Sequence, residues 1–165
     1  MTNPYFDAER RPTRPQGHAH SEHAPGTQLT VIVAVAIGGA IGAGSRYGVE
    51  RLWPTHGTEF PWPILTVNAA GCLAMGALMT VLATRFPGRG ALAGALLGTG
   101  FLGGFTTLSH YTDGVRELLH AHAYGPAVVY LLLTVLASMA GVVVGVLAAR
   151  TVVGVPAHQE ASDGH

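Results

Sequence analysis

Three hydroxyls recur at four-residue spacing, Tyr130, Thr134 and Ser138, in a run that is otherwise almost wholly apolar from Gly125 to Arg150. On a helix that spacing stacks them along one face. There they either bond their own i−4 carbonyls or form a polar track. Asn68 lies in Thr66-Val67-Asn68-Ala69-Ala70-Gly71, and an amide in such surroundings is either a helix-to-helix hydrogen bond or a donor lining a pore. Arg46 closes an apolar run in Gly42-Ala43-Gly44-Ser45-Arg46-Tyr47. It is either an interfacial cation with a snorkelling stem or a fixed charge that concentrates anions at a vestibule. Amide, hydroxyl and guanidinium groups all donate hydrogen bonds, and together they suit an anion.

What the apolar runs lack is equally informative. None contains Asp, Glu or Lys; Glu50, Asp113 and Glu117 fall at their edges. Proton-coupled pumps and cation antiporters depend on an embedded carboxylate. A small four-helix drug/proton antiporter would need one in its first helix, and residues 29–45 have none. No catalytic triad, phosphate loop or carboxylate pair is visible, so enzyme chemistry is not expected. The single cysteine, Cys72, excludes an internal disulfide or a cysteine metal cluster and reads as a packed thiol. A formal net charge of +0 offers no pointer to nucleic acid.

These residues need elements to hold them. Charged residues make up 11% of the 165-residue chain, against about 25% in a soluble domain. A membrane helix takes about 20 mainly apolar residues, and four segments qualify: about 29–52, 64–83, 90–119 and 125–150. The expected fold class is all-α, a polytopic membrane protein of four transmembrane helices with a broken third helix. A soluble bundle is disfavoured because four long uncharged runs leave no face for water.

The third segment carries Gly100-Phe101-Leu102-Gly103-Gly104-Phe105-Thr106-Thr107-Leu108-Ser109-His110-Tyr111. Glycine is a poor helix former and hydroxyl side chains compete for backbone partners, so a break is expected at Gly103–Thr107. Non-helical backbone at membrane depth persists only where protein or a water-filled cavity satisfies it. Such a break marks a candidate ion or substrate site. Small residues spaced by four along every helix predict close packing in lipid, and one small chain has little room to enclose a pathway alone, so an oligomer is expected.

The organisation follows. Residues 1–27 form a polar, disordered N-terminal tail whose His18, His20 and His23 are solvated; residues 28–151 form the four-helix membrane domain; residues 152–165 form a second polar tail. With the N-terminus inside, Arg10, Arg11, Arg14, Arg85, Arg89 and Arg150 face the cytoplasm, against Arg51 and Arg116 outside. The tail supplies half of that bias, so dual insertion stays open.

The four-helix plan, Gly39-x-x-Gly42-x-x-x-Arg46-Tyr47, Val67-Asn68-x-x-Gly71, and Gly100-Phe101-x-Gly103-Gly104-Phe105-Thr106-Thr107-x-Ser109 resemble the Fluc (CrcB-type) fluoride channels over about residues 30–150. The resemblance implies a multi-pass protein of a bacterial-type inner (plasma) membrane that exports fluoride passively from the cytoplasm. It implies an antiparallel dimer enclosing two pores, with a structural Na⁺ held at the dimer centre by backbone carbonyls, here those of Gly103 and Thr106. Asn68 matches the pore asparagine, Tyr130, Thr134 and Ser138 the polar track, and Arg46 the vestibule arginine. The family has two phenylalanines where this chain has Leu108 and Tyr111. The Tyr111 ring edge carries partial positive charge and its hydroxyl adds a donor, Leu108 offers an apolar wall, and Phe105 is expected to pack. That departure keeps a second reading open, a non-conducting partner subunit of a heterodimeric channel.

Overall fold

The computed structural model describes residues 25–57 and 59–154. Most of residues 1–27 and of 152–165, read as disordered tails, lies outside the described residues. Four helices are long and apolar enough to cross a membrane: Thr27–Leu52, Trp62–Arg85, Ala91–His120 and Tyr124–Val153. The described residues are helices and short links without a strand. We label the elements α1 (Pro25–Leu52), α2 (Trp62–Arg85), α3 (residues 91–105), α4 (Ser109–His120) and α5 (Tyr124–Val153). Helix starts fall a little earlier than the apolar runs predict, at Pro25 and at Trp62-Pro63. Proline is tolerated in a first turn because its missing N–H is an orphan there anyway. Gly154 ends α5 with a φ of 76°, and its N–H bonds the Arg150 carbonyl.

The interruption in the third span differs from the expected Gly103–Thr107. Gly103-Gly104-Phe105 is helical, and the three residues outside helix are Thr106, Thr107 and Leu108. Thr106 is extended, with φ −74° and ψ 156°. The glycines do not break the helix here; they let another backbone approach it. A Cβ on Gly104 would run into the Gly39 carbonyl, and one on Gly42 into the Phe101 carbonyl. Residues Gly94–Leu102 are π-helical, a widened coil rare outside functional segments. α1 and α3 therefore lie backbone against backbone, where dispersion holds helices together in lipid.

α2 and α5 form a second close pair. A Cβ on Gly145 would meet the Leu73 carbonyl, and one on Gly76 the Val142 carbonyl. At one end of this pair Ile64, Leu65, Leu118, Ala127 and Tyr130 form the buried core, with Phe60, Tyr111 and Val115 packed against it. Tyr130 is fully buried, edge-on to Phe60 at 5.4 Å between ring centroids. The outer face of α5 is the opposite case: Val128, Leu132, Leu136, Val143 and Leu147 are exposed. Apolar surface of this extent in a spanning helix meets lipid or another chain.

Candidate functional site

The interruption is bridged by a side chain. In an unbroken helix the Thr107 N–H would bond the Gly103 carbonyl; it donates instead to Asn68 Oδ1 at 2.8 Å. Asn68 Nδ2 donates to the Thr107 carbonyl at 3.0 Å. One amide thus replaces both a donor and an acceptor that the missing turn would have satisfied. The amide ties α2 to the non-helical link between α3 and α4. Asn68 also lines a cavity, and its Nδ2 carries two hydrogens, of which this bond uses one.

That cavity, about 440 Å³, is lined by Asn68, Cys72, Gly103, Thr106, Thr107, Leu108, Tyr111, Thr134 and Ser138, with Val135 and Met139. Leu108 is 73% exposed at its rim. The hydroxyls of the spans are not equivalent, and of those compared next only Thr106, Thr134 and Ser138 line this cavity. Ser45, Thr80, Thr84 and Thr106 each donate to their i−4 carbonyls. Thr134 and Tyr130 are buried, yet neither Thr134 Oγ1 nor Tyr130 Oη has a hydrogen-bond partner among the described residues. A buried hydroxyl without a partner costs about 1–3 kcal/mol; Thr134 lines the cavity, whereas Tyr130 lies in the buried core. Ser138, one turn on, is half-buried on the same face.

One aromatic expectation changes at atomic detail. The Tyr111 hydroxyl, expected as an added donor to the ion path, donates to the Leu131 carbonyl at 2.8 Å. Tyr111 lines the cavity, its ring 5.4 Å from that of Tyr130. Phe105 packs as expected, stacked on Phe101 at 5.9 Å.

Arg46 is partly buried and ion-paired. Its Nε reaches the Gly104 carbonyl at 3.5 Å, and its Nη1 contacts Glu50 at 3.2 Å and His110 at 3.1 Å. The Gly104 carbonyl lies in the last turn before the interruption, where a cation offsets the negative end of the helix. Sequence reasoning placed Glu50 at an edge and missed His110 altogether. The i, i+4 spacing of Arg46 and Glu50 was a usable signal; nothing local announces a histidine 60 residues further on.

Gly103 and Thr106 border the cavity, and each has a backbone carbonyl freed from a regular helical course. The first has lost its helical donor to Asn68 and the second points away from a helical course. Hard oxygen donors of this kind suit a hard cation such as Na⁺, so the residues fit that ion. Opposite them, α4 begins at Ser109, and the positive end of a half-helix favours an anion.

Four apolar spans, three of which line a hydroxyl-bearing cavity, define a multi-pass membrane protein of the channel or carrier class. The model of the CrcB-like protein family (Camphor Resistance, CrcB) matches residues 33–146. The chain belongs to that family. It is 42% identical over 130 residues to the fluoride-specific ion channel FluC 2 of Nocardia farcinica, covering 79% of this chain and 92% of the relative. Similarity to FluC 1 of Streptomyces coelicolor is 40% over 126 residues, 76% and 81% of the two chains. To FluC of Paracoccus denitrificans it is 44% over 116 residues, 70% and 91%.

Proposed function

We propose that this chain forms a fluoride-selective channel of a bacterial plasma membrane, passing fluoride out of the cytoplasm down its gradient. The observation that carries the reading is the buried Thr134 hydroxyl, without a partner among the described residues, in the wall of the Asn68-braced cavity with Ser138 one turn on; the Tyr130 hydroxyl, likewise without a partner among the described residues, lies one turn before it. Fluoride is small and strongly hydrated, so a narrow route must replace its water with close donors. Hydroxyl and amide donors bond an ion more strongly than a neutral acceptor. Several weak sites in sequence let the ion leave again. Chloride, being larger, is excluded by width between closely packed helices. The family is one of channels, and no catalytic step is assigned to any residue.

The functional unit in this reading is an antiparallel pair of chains. Two carbonyls, Gly103 and Thr106, are too few to surround Na⁺, and a second copy related by a two-fold axis would double the set. The ion would be structural, balancing the exposed carbonyl ends. Leu108, apolar and exposed at the cavity rim, favours one alternative, a subunit that needs a homologous partner to conduct. Fluoride-electrode efflux from proteoliposomes holding only this chain separates the two. Fluoride efflux without chloride efflux is expected; silence from monodisperse protein would favour the heterodimer.

A further inference from the structure

The vestibule cation is already occupied by a carboxylate. Glu50 Oε1 lies 3.2 Å from Arg46 Nη1 and 2.9 Å from His110 Nδ1, while the two nitrogens are 3.1 Å apart. One oxygen thus sits where an arriving anion would meet both groups. The Arg46 and Glu50 side chains are 17% and 25% exposed, sheltered enough for charge to act more strongly than in bulk water. Glu50 and His110 also line a second cavity of about 280 Å³, with Glu59, Asp113 and Glu117 on its wall.

We propose that Glu50 is a tethered competitor of the conducted anion at Arg46, and that His110 sets how strongly it competes. The inference rests on the fluoride-channel reading above. His110 Nδ1 cannot serve both neighbours in one state. With a lone pair on Nδ1 it accepts from Arg46; with a hydrogen there it donates to Glu50 instead. A hydrogen on Nδ1 therefore holds Glu50 on the histidine and releases an Arg46 N–H for an incoming anion. Other charges facing this region are Glu59 from the α1–α2 link, with Asp113 and Glu117 from α4. Asp113 is paired with Arg116 at 3.2 Å. His110 is also tied to the interruption, its backbone N–H meeting Thr107 Oγ1 at 3.3 Å.

The test is fluoride efflux from proteoliposomes as a function of fluoride concentration, for the wild-type chain, Glu50→Gln and Glu50→Asp. Glu50→Gln lowers the half-saturating fluoride concentration about fivefold, the worth of one nearby charge in a wet site. Maximal flux stays as in the wild type, and Glu50→Asp, which keeps the charge, stays near wild type. In a His110→Ala background Glu50 loses its 2.9 Å partner and rests on Arg46 alone, so the gap between Glu50 and Glu50→Gln widens. An unshifted half-saturation in Glu50→Gln, or a change in maximal flux alone, overturns the competitor role. A gap of unchanged size without His110 overturns the histidine's part. Failure of the wild type to pass any fluoride sinks the channel reading and this inference with it, whereas wild-type efflux with an unshifted Glu50→Gln sinks the inference alone.

Discussion

Thr134 and Asn68 are both buried and polar, yet they stand in opposite energetic positions. Thr134 makes no hydrogen bond among the described residues, so replacing its hydroxyl by a methyl group removes an unmet donor. Thr134→Val is expected to leave the detergent melting temperature unchanged or raise it, while cutting fluoride efflux about tenfold, the loss of one ion-directed bond of roughly 1.5 kcal/mol. A drop in stability would mean that the hydroxyl has a structural partner instead. Asn68 makes two bonds to the Thr107 backbone. Asn68→Ala leaves that N–H and C=O unmet, and a loss of about 2–4 kcal/mol is expected, read as a lower unfolding midpoint together with lost flux. Wild-type stability in Asn68→Ala would show that the bridge is dispensable.

At the level of helices, the decisive contact is the one between α1 and α3. Added bulk at Gly42 would strike the Phe101 carbonyl, whereas at Gly44 nothing lies within 4 Å. Gly42→Ala is therefore predicted to destabilise by about 1–3 kcal/mol and to reduce the yield of monodisperse protein. Gly44→Ala, on the same helix with the same gain in helix propensity, should behave as the parent. Equal behaviour of the two variants in size-exclusion profiles would refute the backbone-to-backbone packing. α1 also carries the Arg46 side chain to the Gly104 carbonyl. Displacing α1 should then impair flux before it unfolds the chain.

For the whole molecule the open quantity is its orientation in the bilayer. Leaving aside the tail arginines, Arg85, Arg89 and Arg150 on one side are nearly balanced by Arg51 and Arg116, with Arg46 at an edge. A balanced charge distribution gives the insertion machinery little to choose by. In a Cys72→Ser background, Gly154→Cys is expected to be labelled by an impermeant thiol reagent in about half of the molecules in intact cells. Labelling of all or none of the molecules would rule out an antiparallel pair of identical chains. The apolar outer face of α5 is where variants that separate the pair are best sought.

Sequence alone settled the number of spans, their all-helical character and the family, because apolar run length and short motifs are local properties that need no partner. It also picked out the one face of α5 that carries hydroxyls, since four-residue spacing is a property of the helix itself. Tertiary structure decided where the third span is interrupted. Gly103 and Gly104 read as breakers in isolation, but both are helical, Gly104 packed on the Gly39 carbonyl of α1, while Asn68, 39 residues away, supplies the bonds that let Thr107 leave the helix. The triad of Arg46, Glu50 and His110 was illegible for the same reason. Its third member arrives through folding, and no periodicity within one helix records which side chain a distant helix will bring against it.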